Sequence, residues 1–231
     1  MFITILTLFP DMFQGPFDVS IIKRAVQKKA VTISYVNIRD FATDAHKSVD
    51  GHPYGGGAGM ILRVDVVSKA ITHARNMHPE ISQSVILLDP LGTPFHQEIA
   101  KRLATVDHLI LLCGHYEGID ERIRDLVDET VSLGDFILTC GELPAMVITD
   151  AVVRLLPGVL KKDGVTANES FEHNLLEYPQ YTKPDLFNGH AVPPVLKSGN
   201  HKKILAWQHE QAMEKTKKLR PDLLTGQTDL P

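Results

Sequence analysis

Cysteine and long apolar runs are both scarce in this chain of 231 residues, and each scarcity removes a class of protein. Two cysteines, Cys113 and Cys140, are too few for the disulfide framework of a secreted domain, so a reducing compartment is expected. No stretch approaches the roughly 20 apolar residues that span a bilayer. The opening run Phe2–Phe9 is stopped by Pro10-Asp11 and lacks a basic leader and a small-residue cleavage site. It reads as a buried strand, and the protein is expected to be cytoplasmic, with no membrane partner. The 11 histidines follow no ligand spacing, and Cys113-Gly-His115 alone falls short of a zinc site, so the residues themselves imply no metal. Internal repeats and low-complexity tracts are lacking as well.

What is present supports one good core and a smaller second unit: 43% of residues are apolar or aromatic and 23% are charged. The net charge of −4 gives no hint of a nucleic-acid partner. Its distribution does. Residues 1–182 hold 16 Lys/Arg against 23 Asp/Glu, whereas 183–220 hold 8 against 3. A local basic stretch is what phosphate attraction needs, because the Coulomb interaction acts over roughly 10 Å rather than over the whole molecule.

Branched apolar runs recur at Phe2–Phe9, Val31–Ile38, Val85–Leu88, Leu109–Cys113 and Thr130–Leu133. Continuous rather than alternating apolarity predicts strands covered on both faces, hence an α/β fold with a mainly parallel sheet. Helix-period segments fall at Phe17–Lys28, Val64–Met77, Gln97–Thr105, Asp120–Val127 and Glu142–Leu156. The last is apolar nearly all round, which predicts cover on every side by the core or by another subunit. Residues 1–160 form the expected α/β domain, 161–174 a polar linker of low intrinsic order, and 175–231 a small C-terminal domain. That domain includes a Lys-rich amphipathic helix over roughly His201–Leu219, led by Gly199-Asn200 and ended by Pro221.

Three loops at predicted strand ends stand where open α/β sheets bind ligands. They are Leu88–Gly92, Cys113–Arg122 (CGHYEGIDER) and Ser132–Pro144. A fourth, Asp50–Gly59, is rich in glycine but lacks the Gly-Lys-Ser/Thr ending of a P-loop and does not follow a strand.

Pro53–Met60 (PYGGGAGM), Cys113–Arg122, Gly134–Ala145 (GDFILTCGELPA), Pro157–Leu160 (PGVL) and Pro193–His201 (PPVLKSGNH) resemble, in order and spacing, the bacterial tRNA (guanine-N1)-methyltransferase family. The resemblance runs from Met1 to Leu224. It implies a SPOUT fold with a deep trefoil knot, a homodimer, and methyl transfer from S-adenosylmethionine to N1 of guanosine 37, beside the tRNA anticodon. Knots are rare, and neither periodicity nor composition reveals one.

By matching motifs, the resemblance implies donor contacts at Leu88 and Pro90 in the first loop and at Gly114, Tyr116 and Glu117 in the second. In the third it implies Leu133, Gly134, Asp135, Phe136, Ile137 and Leu138, followed by Gly141 and Pro144. It also implies Glu169 as proton acceptor and Arg154 at the reacting guanine. The family usually has Asp at the position of Glu169, which leaves Glu172 and His173 as alternative acceptors. Cys140 stands where the family has the first Gly of a Gly-Gly pair. The anticodon stem-loop would meet the C-terminal domain, with Lys197, His201, Lys202 and Lys203 as phosphate contacts, while His46, Lys47 and Asp50 match positions near substrate. Mg2+ is an expectation of the family alone. Two other readings are a knotted ribose 2′-O-methyltransferase and a non-catalytic RNA-binding protein. The first leaves the Pro193–His201 block without a task, and the second leaves Glu117, Arg154 and Glu169 without one.

Overall fold

The computed structural model describes residues 1–161, 166 and 169–225, which fall into two compact units, 1–161 and 162–231. In the first unit, strands β1 (Phe2–Thr7), β2 (Thr32–Asn37), β5 (Gln83–Pro94), β6 (His108–Cys113) and β7 (Glu129–Ser132) build one sheet. Its order is β2-β1-β6-β5-β7, and every pairing in it is parallel. A two-residue hairpin of β3 (Asp50–Gly51) and β4 (Ile61–Leu62) stands apart from it.

The apolar runs behave as strands covered twice. On β6, Leu109, Leu111 and Cys113 enter one hydrophobic core while Ile110 and Leu112 enter another, the two-residue alternation of a sheet packed on both faces. The first core takes in helix α1 (Ser20–Gln27), α3 (Gln97–Leu103) and α4 (Glu142–Val153). The second is closed by α2 (Val64–Met77), whose Val66, Val67, Ala70, Ile71 and Ala74 form a buried stripe of helical period.

Several boundaries differ from the sequence pattern. Phe17 lies outside α1, which starts at Ser20, itself at φ 53°, after Val19 in extended conformation. The segment expected as a helix over Asp120–Val127 is a 3-10 helix, Glu121–Leu126. Its start is tied to β4 by the Asp120 backbone N–H donating to Leu62 O at 3.0 Å, and β7 begins at Glu129. Only Ile123 in it is buried, so no apolar face rewards a longer α-helix. β5 outruns its predicted end at Leu88, because pairing with β7 resumes at Thr93.

The second unit is described by itself. Its main element is α5 (His201–Leu219), capped by Asn200, whose side-chain oxygen accepts from the Lys203 backbone N–H at 3.1 Å. Thr216 is fully buried on α5, accepting from the Leu176 backbone N–H at 2.8 Å and so fastening that extended segment to the helix. A short hairpin of β8 (Leu186–Phe187) and β9 (His190–Ala191), and α6 (Asp222–Thr225), complete it. Within the expected linker, residues 162–165 and 167–168 lie outside the described residues, while Glu172–Asn174 form a single 3-10 turn.

Candidate active site

The strand order places the carboxyl ends of β6, β5 and β7 side by side, and the loops leaving them enclose one cavity of about 530 Å3. That lies within the roughly 300–1,000 Å3 of small-molecule sites. Two very close backbone approaches shape it. A Cβ on Gly141 would stand 2.6 Å from Gly114 N, and the Gly141 backbone N–H donates to Gly114 O at 2.8 Å. A Cβ on Gly92 would stand 2.4 Å from Val131 N. Only glycine admits such contacts without moving the chain.

Of the expected donor-binding residues, Leu88, Pro90, Gly114, Tyr116, Glu117 and Leu133 line the cavity. So do Gly134, Phe136, Ile137, Leu138, Gly141 and Pro144. Asp135 is exposed and does not line it. Tyr116 is held at φ 62°, a left-handed conformation uncommon for a side-chain-bearing residue and one that concentrates at functional sites. The Glu117 side chain lies against Gly59, and its backbone N–H donates to Met60 O at 3.0 Å. The glycine-rich loop is thereby docked beside the cavity.

Other residues meet there too, of which the sequence marks Cys140 for its place in a Gly-Gly pair but assigns Asp89 and Arg124 no role. Asp89 and Arg124 line the cavity and form an ion pair of 3.2 Å with side chains only 13% and 21% exposed. His115 packs its ring against Phe9 and Tyr116, at 5.0 and 4.7 Å, and its Nδ1 is buried with no hydrogen-bond partner among the described residues. Cys140 lines the cavity as well. Behind the cavity, Glu142 opens α4 fully buried, with Thr7 Oγ1 donating to its Oε1 at 2.6 Å. Burial, and then the neighbouring Glu142 and Cys140, raise the Cys113 thiol well above its ordinary pKa, so it is no nucleophile.

Asp50 is half-buried on β3, opposite Leu62, and Leu62 in turn bridges Ile119 on the cavity wall. His46 and Lys47 are exposed in a turn organised by Asp44, which accepts from the His46 and Ser48 backbone N–H groups, each at 3.1 Å. Arg154 caps the carboxyl end of α4 in the first unit. Glu169 belongs to the second, where its backbone carbonyl accepts from the Glu172 N–H at 3.1 Å. His201, Lys202 and Lys203 form the exposed first turn of α5, whereas Lys197 is paired with Asp185 at 3.1 Å. Among the described residues no cluster of three or more His, Cys, Asp or Glu is placed to hold a metal ion, and no helix is long and apolar enough to cross a membrane.

Comparison with known proteins gives this arrangement a family. Residues 1–226 match the family model described as tRNA (guanine-1)-methyltransferase TrmD. A tRNA (guanine-N(1)-)-methyltransferase of Carboxydothermus hydrogenoformans is 53% identical over 225 residues, covering 97% of this chain and 87% of the relative. Relatives of the same name from Dictyoglomus turgidum and Lactiplantibacillus plantarum are each 51% identical, covering 96% and 98% of this chain and 89% and 92% of their own lengths. The chain belongs to the tRNA (guanine-1)-methyltransferase TrmD family.

Proposed function

We propose that this protein transfers the methyl group of S-adenosylmethionine to N1 of guanosine 37 in tRNA. The observation that carries the reading is the meeting of three strand-end loops, bearing the family's motif residues, around one cavity of suitable size. The lining fits the donor: apolar faces at Leu88, Leu133 and Leu138, backbone groups at Gly114 and Gly134, and the carboxylate of Glu117. That carboxylate suits a cationic sulfonium. When bound, the donor supplies an electrophilic methyl group.

The chain's own residues supply the proton chemistry. N1 of guanine carries a proton at neutral pH, and Glu169 accepts it as the ring nitrogen attacks. Negative charge then spreads toward O6, where the planar, permanently charged Arg154 guanidinium stabilises it. The basic stretch 183–220 of the second unit grips the anticodon stem-loop through Lys202, Lys203 and His201, with His46, Lys47 and Asp50 nearer the nucleotide. Loop nucleotides unstack at little cost, which makes a base edge there reachable.

A second copy of the chain would complete the enzyme. Support comes from α4, where Leu143 and Val147, one turn apart, stay 43% and 49% exposed on a helix whose other face buries Ala145, Ile148, Val152 and Val153. The close passages at Gly92 and Gly141 support a knotted path for the loops. A reducing, cytoplasmic setting accords with two free cysteines.

The test is transfer of labelled methyl from S-adenosylmethionine to tRNA transcripts bearing G or A at position 37. Incorporation should require G, and nuclease digestion should release N1-methylguanosine. A ribose 2′-O-methylated product, or none, would overturn the assignment. Glu169→Gln should lower turnover by about 10²–10⁴-fold with donor affinity intact; near-normal turnover would move the proton to another acceptor.

A further inference from the structure

β5 does not run straight along β7. Leu88 and Thr93 both stand opposite Val131, so residues 89–92 are extruded from the ladder. An extruded segment loses the ladder hydrogen bonds that would fix it. Yet Asp89, Pro90 and Leu91 all line the cavity, with Leu91 80% exposed. A wall of this kind needs another anchor.

Asp89 provides it from inside the loop and Arg124 from outside. Asp89 Oδ1 accepts from the Leu91 backbone N–H at 2.9 Å, closing the loop on itself, and from Arg124 Nη2 at 3.2 Å. Arg124, on the 3-10 helix, also donates from Nε to Glu121 at 3.1 Å and from Nη1 to Thr130 Oγ1 at 3.4 Å. One guanidinium therefore joins three segments that line the cavity or border it: the extruded loop, the 3-10 helix and β7. The planar fork of arginine is needed for this, since a lysine ammonium is a point charge without several fixed donor directions. With both side chains largely shielded from solvent, the pair is screened less than an exposed one, which would contribute little.

We propose that the Asp89–Arg124 pair is a positioning device for the methyl donor, holding the extruded loop in its binding arrangement before the donor arrives. The inference rests on the reading of the cavity as the S-adenosylmethionine site. Neither residue is assigned a part in proton transfer. If the pair is cut, the loop samples other arrangements, and apparent affinity falls in proportion to the population that stays competent. Donor affinity then depends on the pair, and the chemical step at saturating donor does not.

The experiment is calorimetry of the full chain with S-adenosylmethionine, followed by methyl transfer at saturating donor. A competent population of about one tenth in Arg124→Met raises the donor Kd about tenfold. Arg124→Lys should recover part of this loss, and kcat at saturating donor should stay within about twofold for both variants. Asp89→Asn keeps an acceptor for the Leu91 N–H but loses the charge-assisted partner, so it should weaken binding by less. Hydrogen exchange should accelerate at the backbone N–H groups of residues 89, 91 and 92 in both Asp89→Asn and Arg124→Met. Thermal melting identifies a chain that has merely unfolded, and in that event the near-isosteric Asp89→Asn decides. Donor affinity unchanged in folded variants, or a fall in kcat with Kd intact, overturns the inference alone. Failure of the wild-type chain to bind the donor overturns the cavity reading and this inference with it.

Discussion

At His108 the fold sets burial against a proton. The ring stands at the amino end of β6 with no solvent exposure, its Nε2 sharing a 2.8 Å hydrogen bond with Thr4 Oγ1 and its Nδ1 unpartnered among the described residues. His78 packs edge-on against it at 5.0 Å. Burial first, and then His78, push its pKa down to about 4 from the ordinary 6.5. In the unfolded chain the same group takes up its proton near pH 6.5. Between those values the unfolded state binds a proton that the folded state refuses. The stability from this group is therefore complete above about pH 6.5 and is lost as pH falls, by about 1.4 kcal/mol per unit and up to about 3 kcal/mol. Urea unfolding at pH 7 and pH 5 should reveal that slope. His108→Gln, which keeps a polar partner for Thr4, should flatten it; a wild-type slope in this variant would assign the loss to other groups. Residues of this kind are poorly legible in a sequence. His108, Asp89, Arg124 and Glu142 take their roles from partners 135 to 6 positions away, and the register that joins them is nowhere written as a local pattern. Glu117 and Gly141 were legible, because they lie inside long motifs of fixed spacing.

Elements were easier to read than residues wherever burial imposes a period. All five strands of the sheet overlap the branched apolar runs, most fully β1, β6 and the Val85–Leu88 part of β5, because a strand covered on both faces must be apolar continuously. The bounds of α2 follow its stripe, and those of α5 follow the Asn200 cap and Pro221. Where tertiary contacts decide, the pattern misleads. Asp89-Pro-Leu-Gly92 reads as the turn that ends a strand, yet the chain leaves the ladder and rejoins it opposite the same Val131. Gly92 makes this return possible. A Cβ there would meet Val131 N at 2.4 Å and the Thr130 carbonyl carbon at 2.6 Å, both backbone atoms that cannot swing aside. Gly92→Ala should push the loop off β7, lowering stability by about 1–3 kcal/mol and weakening donor binding. Thermal melting together with donor calorimetry checks this. A variant equal to the wild type in both would mean that the crossing yields freely, and that the cavity wall does not depend on the close approach.

Across the whole molecule, a net charge of −4 conceals a division of labour. The acidic first unit contains the cavity, and the second carries the local excess of lysine. On α5, His201, Lys202 and Lys203 crowd the exposed first turn, where the helix dipole adds positive potential to theirs. Lys197 differs, because Asp185 stands 3.1 Å from it and brings a negative charge beside any phosphate it would meet. If α5 meets the phosphates of the anticodon stem, each Lys–phosphate contact releases condensed counterions, and the logarithm of affinity falls with the logarithm of salt in proportion to the number of contacts. Lys202→Ala with Lys203→Ala should then weaken tRNA binding and make the salt slope shallower by about one to two. Lys197→Ala should change the slope less than either, since Asp185 beside it repels the same phosphates. Donor affinity should hold in all of these variants, since the described residues that line the cavity belong to the first unit. Filter binding of tRNA from about 50 to 200 mM salt, a range over which several phosphate contacts change affinity by orders of magnitude, measures the slope directly. An unchanged slope in the double variant would free the first turn of α5 from any phosphate contact and shift the tRNA-binding surface to other lysines.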